Sequence, residues 1–174
     1  MQLDDAILFL QNEYLQSLQY PSVWADFGCG SGLFTQAISY YLKPGSTLYA
    51  VDKIRHSKPE IKDPSIQICS LQGDFEKEKI PIENLDGILM ANSLHYVKDK
   101  KTFLLNCKNY YHNDAFIIIE YNANKSIHHW VPYPLSFSSL KDLFLTAGFK
   151  HIHKTGERPS AFGNRNMYAA LVLR

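Results

Sequence analysis

The sequence predicts an α/β fold: a doubly wound, mostly parallel sheet of seven strands that ends in an antiparallel hairpin. Three observations carry this expectation. Short apolar runs alternate with stretches of helical periodicity along most of the chain. The run from Phe116 to Ile119 is apolar without a break, as in a strand covered on both faces. The last two apolar runs have only a polar loop between them, so they pair as neighbours without a crossover.

The elements follow in order. Asp4 to Leu18 reads as one helix, because Ile7, Leu8, Leu10, Tyr14, Leu15 and Leu18 recur at three- and four-residue steps. Asp4 is placed to cap it, and Pro21 ends the pattern. Ser22 to Phe27 is a buried strand that runs into a glycine cluster. Gly32 to Leu42 is a helix stopped by Pro44 and Gly45, and Thr47 to Val51 is the second strand. Residues 53–64 are polar with two prolines, which leaves room only for a short helix. Ser65 to Leu71 and Leu85 to Ala91 are the third and fourth strands. Asp99 to Tyr111 is a helix with Phe103, Leu104, Cys107 and Tyr110 or Tyr111 inward, and Ala115 to Tyr121 is the fifth strand. Leu140 to Ala147 is a helix closed by Gly148. Phe149 to His153 and Met167 to Leu173 are the last strands.

Composition limits what this fold serves. The 174 residues suit one domain, 1–174, with residues 1–20 as a candidate lid. Aromatic residues are 13%, which excludes disorder as the main state. Lys plus Arg is 18 and Asp plus Glu is 17, so the net charge of +1 argues against a surface built to attract nucleic acid or an anionic membrane. Cys29, Cys69 and Cys107 are odd in number and form no CxxC pair, which argues against a disulfide framework and a structural zinc site. No signal-peptide pattern is present, and no apolar run approaches the ~20 residues of a membrane helix. A cytoplasmic location is the expectation, as a monomer or homodimer.

The most informative stretch is Asp26-Phe27-Gly28-Cys29-Gly30-Ser31-Gly32, between a strand and a helix. Glycines there permit a sharp turn and a close approach of ligand to main chain, and the helix offers free N–H groups. The dinucleotide fingerprint needs Gly or Ala three positions after the second glycine, where this chain has Leu33. No phosphate-loop lysine follows. Asp52 closes the second strand, 20 residues after Gly32, and Gly73-Asp74-Phe75 follows the third. The fourth strand leads into Asn92-Ser93-Leu94-His95-Tyr96.

The spacing Asp-x-Gly-x-Gly-x-Gly, with acids at successive strand ends, resembles the class I S-adenosylmethionine-dependent methyltransferases, whose fold is Rossmann-like. The Leu94-His95 pair is similar to the small-molecule enzymes of the quinone-biosynthesis type. The resemblance implies S-adenosylmethionine as cofactor and S-adenosylhomocysteine as product. It implies a cofactor site of Asp26, Gly28, Cys29, Gly30, Gly32, Asp52, Lys53, Asp74, Phe75 and Asn92. In the family, the glycine loop lies under the methionine part, with the acid at the Asp26 position near its amino group. The acid at the Asp52 position accepts from the ribose hydroxyls, and the one at the Asp74 position from the adenine amino group. Asn92 has no Pro-Pro after it, unlike the enzymes that methylate base amines in DNA.

Ligands of open parallel sheets lie beyond the carboxyl ends of the strands. The loop 120–134 after the fifth strand is rich in aromatics, and the hairpin tip 156–165 holds two arginines. Tyr121, His128, Trp130 and Tyr133 are therefore expected to shape an acceptor pocket, with Arg158 or Arg165 meeting an acidic group. A base is needed only where the acceptor has a proton to lose; His95, His128 and His129 are candidates, with His95 and His128 foremost. The two adjacent histidines lack the spacing of helix-borne metal ligands, so no metal is expected. The expected function is methyl transfer to a small-molecule acceptor, with nucleic acid and membrane disfavoured as partners. The alternatives are a methyltransferase acting on protein or RNA, a cofactor-binding partner subunit without its own activity, and, more remotely, a nicotinamide-dependent reductase.

Overall fold

The computed structural model describes residues 1–126, 130–160 and 165–174, with the backbone alone at 112–114. Its seven strands are β1 (Val23–Phe27), β2 (Thr47–Asp52), β3 (Gln67–Gln72), β4 (Leu85–Ala91), β5 (Tyr111–Tyr121), β6 (His151–Pro159) and β7 (Asn166–Leu173). They form one sheet in the order β3-β2-β1-β4-β5-β7-β6. β1 to β5 pair in parallel, β7 is antiparallel to β5, and β6 is antiparallel to β7. The expected α/β sheet with its closing hairpin is therefore present. Winding reverses at β1, with β2 on one side and β4 on the other, which opens a crevice at their carboxyl ends.

The helices are α1 (Leu3–Leu10), α2 (Glu13–Ser17), α3 (Leu33–Ser39), α4 (Lys100–Cys107) and α5 (Phe137–Thr146). Side chains alternate across each strand, so the sheet carries two apolar layers. Trp24, Leu48, Leu89, Ile117 and Ala169 pack with Leu10 of α1 and Ile38 of α3. Phe27, Val51, Met90, Phe116 and Val172 pack with Phe103 of α4 and Phe144 of α5. The Tyr41 hydroxyl donates to the Ile7 carbonyl at 2.7 Å, tying α1 to the end of α3. None of the described helices is long and apolar enough to cross a membrane.

Several boundaries differ from the sequence expectation, each for a local reason. The N-terminal helix is two helices. Asn12 is buried at the break; its Oδ1 accepts from the Leu15 N–H at 2.9 Å and its Nδ2 donates to the Leu10 carbonyl at 2.8 Å. An Asn side chain competes with the helix for backbone partners in this way. The cap of α1 is at Gln2, whose N–H donates to the Asp5 carboxylate at 3.3 Å, and not at Asp4. The helix expected to reach Tyr111 ends at Cys107. There the Tyr110 carbonyl accepts from Leu85 N–H at 2.7 Å and Tyr111 already pairs with Leu85, so β5 begins earlier. α5 starts at Phe137 because Ser136 caps it, Oγ accepting from the Ser139 N–H at 3.3 Å. β6 extends to Pro159, so Gly156 to Pro159, read as part of the hairpin tip, are strand.

Gly87 in β4 makes room for Trp24. A Cβ at Gly87 would lie 2.5 Å from two carbons of the fully buried Trp24 ring. Gly87→Ala is expected to cost about 1–3 kcal/mol of stability through overpacking. The check is a lower urea midpoint at unchanged slope.

Candidate active site

The glycine loop is shaped by backbone geometry before any ligand is considered. Gly28 has φ +82°, and a Cβ there would overlap the Ser93 Cβ at the end of β4. The Ser93 hydroxyl is itself held on the Phe27 carbonyl at 2.5 Å. Gly28 and Cys29 both donate their N–H groups to the Val51 carbonyl, at 2.8 and 3.1 Å. The Gly30 N–H donates to Asp52 Oδ2 at 2.9 Å, while its missing Cβ would point into open space. Gly32 caps α3 with φ +86° against Pro59. The loop is thus stitched to β2, with one open position in its middle.

Asp52 has a second partner, the Ile54 N–H, on Oδ1 at 2.9 Å. Phe75 stacks on Phe27 with centroids 5.1 Å apart. Asp74 Oδ1 accepts from the Glu76 N–H at 3.2 Å, and its other oxygen is 3.2 Å from Lys77 Nζ. Gly28, Asp52, Lys53, Asp74, Phe75 and Asn92 come together around one cavity of about 420 Å³. An adjoining cavity of about 350 Å³ shares Asp52, and Cys29 faces it. Gly30, Gly32 and Asp26 frame the loop without lining the larger cavity.

Asp26 is buried at the end of β1. Its Oδ2 accepts from the Thr35 hydroxyl at 2.6 Å, and its Oδ1 has no partner among the described residues. Burial pushes its pKa up to about 7; the Thr35 hydrogen bond opposes this and the Asp52 charge adds to it. A carboxyl raised from 3.8 contributes stability that is present below pH 4 and is lost as pH rises through 7. Asp26→Asn is therefore expected to raise the melting temperature of the free protein at pH 8, and the gain should shrink toward pH 4. A gain independent of pH would contradict the buried carboxylate.

The remaining candidates are spread around the rim. His95 is buried: its Nδ1 lies 2.7 Å from Glu120 Oε2, and its N–H donates to Glu120 Oε1 at 3.0 Å. Its Nε2 has no partner among the described residues. Tyr121 ends β5 half-buried, its ring 6.0 Å from that of His95. The Tyr133 N–H donates to the His95 carbonyl at 3.0 Å, and Lys100 Nζ donates to the Tyr133 carbonyl at 2.9 Å. These bonds hold the aromatic loop against the turn after β4. Trp130 is 60% exposed. Arg158 leans on α1, 3.8 Å from the Asp5 carboxylate and over the Phe9 ring. Arg165 keeps a buried Nη1 with no partner among the described residues. His128 and His129 lie outside the described residues.

Sequence reasoning missed Thr35, Ser93, Tyr96 and Glu120. Glu120 had a readable signal, since it is an acid closing an unbroken apolar strand. Ser93 and Tyr96 line the cavity, and Thr35 meets Asp26, only through the packing of α3 and β4.

Comparison with known proteins agrees with this geometry. A family model described as a methyltransferase domain matches residues 25–119. No curated protein sequence matches the chain. Among solved structures, the chain is similar to a methyltransferase from Methanosarcina mazei described as dependent on S-adenosylmethionine (TM-score 0.65, 11% identity, 94% of this chain and 98% of that one). It is also similar to the 1,6-didemethyltoxoflavin-N1-methyltransferase of Burkholderia thailandensis, solved with S-adenosylhomocysteine (TM-score 0.67, 16% identity, 99% and 77%). A third is the plantazolicin methyltransferase in complex with S-adenosylhomocysteine (TM-score 0.65, 16% identity, 97% and 82%). The family match spans over half of the chain, from within β1 to within β5, so the protein belongs to the methyltransferase-domain family.

Proposed function

We propose that the cavity beyond β1, β2 and β4 holds the cofactor, and that the chain transfers its methyl group to a small-molecule acceptor. The observation that carries this reading is the convergence of Gly28, Asp52, Asp74, Phe75 and Asn92 on one cavity of about 420 Å³. When bound, S-adenosylmethionine supplies a methyl group already activated on a sulfonium. The residues fit it. Asp52 retains lone pairs for two ribose hydroxyls, because each oxygen accepts only one backbone N–H. Phe75 offers an apolar surface for the adenine, with Asp74 beside it for the amino group. Asp26 Oδ1 is a buried acceptor without a partner among the described residues, suited to the ammonium end. Gly30 leaves open space beside the main chain.

Alignment does most of the remaining work, since holding nucleophile and methyl carbon in line lowers the barrier without acid–base help. The acceptor approaches from the rim built by Tyr121, Trp130 and Tyr133. Arg158 is engaged with α1, so Arg165 is the arginine left to meet an acidic group on the acceptor. His95 is held by Glu120 rather than open to the cavity, which makes it a support for the turn that carries Tyr96. Leu94-His95 after β4 supports a place near the quinone-biosynthesis enzymes. The small-molecule reading draws support from the names of two structural neighbours, the toxoflavin and plantazolicin methyltransferases. The test is incubation with methyl-labelled S-adenosylmethionine and a deproteinised cell extract. Label should enter a low-mass product; label confined to added protein or RNA would overturn the small-molecule assignment.

A further inference from the structure

Placing the cofactor in the larger cavity leaves the smaller one, of about 350 Å³, without an occupant. Its walls are built in an unusual way. Parallel strands are joined by crossovers that are usually helical, and a parallel sheet is covered on both faces. The crossover from β2 to β3 has no helix: residues 53–66 are irregular chain. The β2–β3 rim on the α3 side is therefore roofed by a loop. Beneath it the inward side chains change character along each strand. Ile68 is buried in the α3 layer, whereas Ser70 and Gln72, next on the same face of β3, line the cavity. Leu48 is buried likewise, and Ala50 and Asp52 follow it along β2 into the cavity. Ala50 pairs with Ser70 and Asp52 with Gln72, so the floor is two adjacent pairs of small or polar side chains.

The roof is Ile54 to Pro59, every residue of which lines the cavity. It is anchored at both ends. The Ile54 N–H donates to Asp52, and buried Pro59 sits on Gly32, where a Cβ would overlap its ring. This roof brings Arg55, His56 and Lys58 to the cavity. Arg55 and Lys58 are exposed, and neither pairs with a carboxylate among the described residues. Asp52, the carboxylate in the lining, already accepts from Gly30 and Ile54 and lies 3.8 Å from His56 Nε2. Two fixed cations against one carboxylate favour an anionic ligand. A phosphate monoester carries about −1.5 to −2 at pH 7 and has three terminal oxygens, enough for a guanidinium and an ammonium together. A carboxylate would balance only one of them. A lone phosphate ion would meet the roof and leave the floor empty, where Ser70 and Gln72 suit the hydroxyl groups of a larger molecule.

This cavity is not on the path of methyl transfer. Cys29 and Ala50 in its lining belong to the α3 layer, whereas Phe75 and Val97 of the larger cavity belong to the α4 layer. Gly28, Asn92, Ser93 and Tyr96 line only the larger one. We infer that the smaller cavity binds a sugar phosphate, its phosphoryl group held by Arg55 and Lys58, at a site separate from the one where the methyl group moves; the assignment rests on the cofactor occupying the larger cavity, as proposed above.

Arg55→Ala and Lys58→Ala test it. Both side chains are exposed, so both variants should keep the wild-type urea midpoint. Calorimetry at constant ionic strength is run with ribose 5-phosphate, ribose and inorganic phosphate, on free protein and on protein saturated with S-adenosylhomocysteine. Ribose 5-phosphate should bind both forms with affinities within about threefold of each other, and inorganic phosphate about tenfold or more weaker. Ribose should give no heat. Each variant should lose about tenfold or more in affinity for ribose 5-phosphate, the scale of one charge-assisted hydrogen bond, and keep its affinity for S-adenosylhomocysteine. Equal affinity for ribose 5-phosphate and inorganic phosphate overturns the sugar and leaves a free-phosphate site. Displacement of S-adenosylhomocysteine by ribose 5-phosphate overturns the separate site, and unchanged affinity in both variants overturns the roles of Arg55 and Lys58. No heat from either phosphate at millimolar concentration, with S-adenosylhomocysteine still bound, overturns the phosphate site and leaves the proposed function standing. No heat from S-adenosylhomocysteine itself overturns the cofactor placement instead.

Discussion

Asp52→Ala is expected to weaken S-adenosylhomocysteine binding at least a hundredfold, the largest single effect in the cofactor site. The physical reason is double. Two hydrogen bonds from ribose hydroxyls to a carboxylate are worth about 1.5–3 kcal/mol each. The same carboxylate also ties Gly30 and Ile54 in place, at 2.9 Å each, so its loss frees the middle of the glycine loop. Asp52→Asn keeps the shape but has one acceptor oxygen, and its affinity should fall between wild type and alanine. Calorimetry on all three checks this, with urea unfolding to confirm that each is folded. Equal affinity in wild type and alanine would remove Asp52 from the site and with it the proposed orientation of the cofactor.

Gly28→Ala should lose both stability and cofactor binding. An L-residue at φ +82° costs about 1–2 kcal/mol. The new Cβ also overlaps Ser93, which cannot yield easily because its hydroxyl is held on the Phe27 carbonyl at 2.5 Å. Overpacking adds about 1–3 kcal/mol. The strain falls on the β1–β4 crevice itself, so S-adenosylhomocysteine binding should drop below detection in protein that is still folded in the cold. Gly30→Ala is the control. Its φ is also positive, +51°, but its Cβ enters open space, so its urea midpoint should fall less. Equal midpoints for the two variants would refute the Ser93 overlap.

The cofactor side of the candidate site was legible in the chain because its residues sit at strand ends in a fixed order. A glycine loop after the first strand and acids after the second and third need only the strand periodicity to be placed. Cys29 was less well served: the loop turns it toward the smaller cavity. The acceptor side was harder to read. Arg158 and Arg165 are near neighbours in sequence, yet one meets Asp5 of α1 and the other keeps a buried nitrogen with no partner among the described residues. Tyr133, expected to shape an acceptor pocket, is exposed, and its backbone is bonded to His95 and Lys100. Such contacts join residues from opposite ends of the chain, and no local pattern encodes them.

Boundaries show the same division. Periodicity placed β4 at Leu85–Ala91 without error, because both faces of that strand are covered and Ile88 to Ala91 is an unbroken apolar run. It failed at Asn12, where one side chain bonds backbone groups on both sides and splits a helix. It failed again at Tyr111, where pairing with Leu85 outweighed the helical pattern.

The linear chain was enough to set the fold class and the acids and glycines at the strand ends, because strand alternation and a turn motif are local properties. Only the folded molecule decided that Asn92 keeps a buried oxygen with no partner among the described residues, that Asp26 is buried enough to be raised to about 7, and that His95 belongs to Glu120. Each of these depends on which distant groups exclude water from a given atom, and that is settled by packing across the sheet.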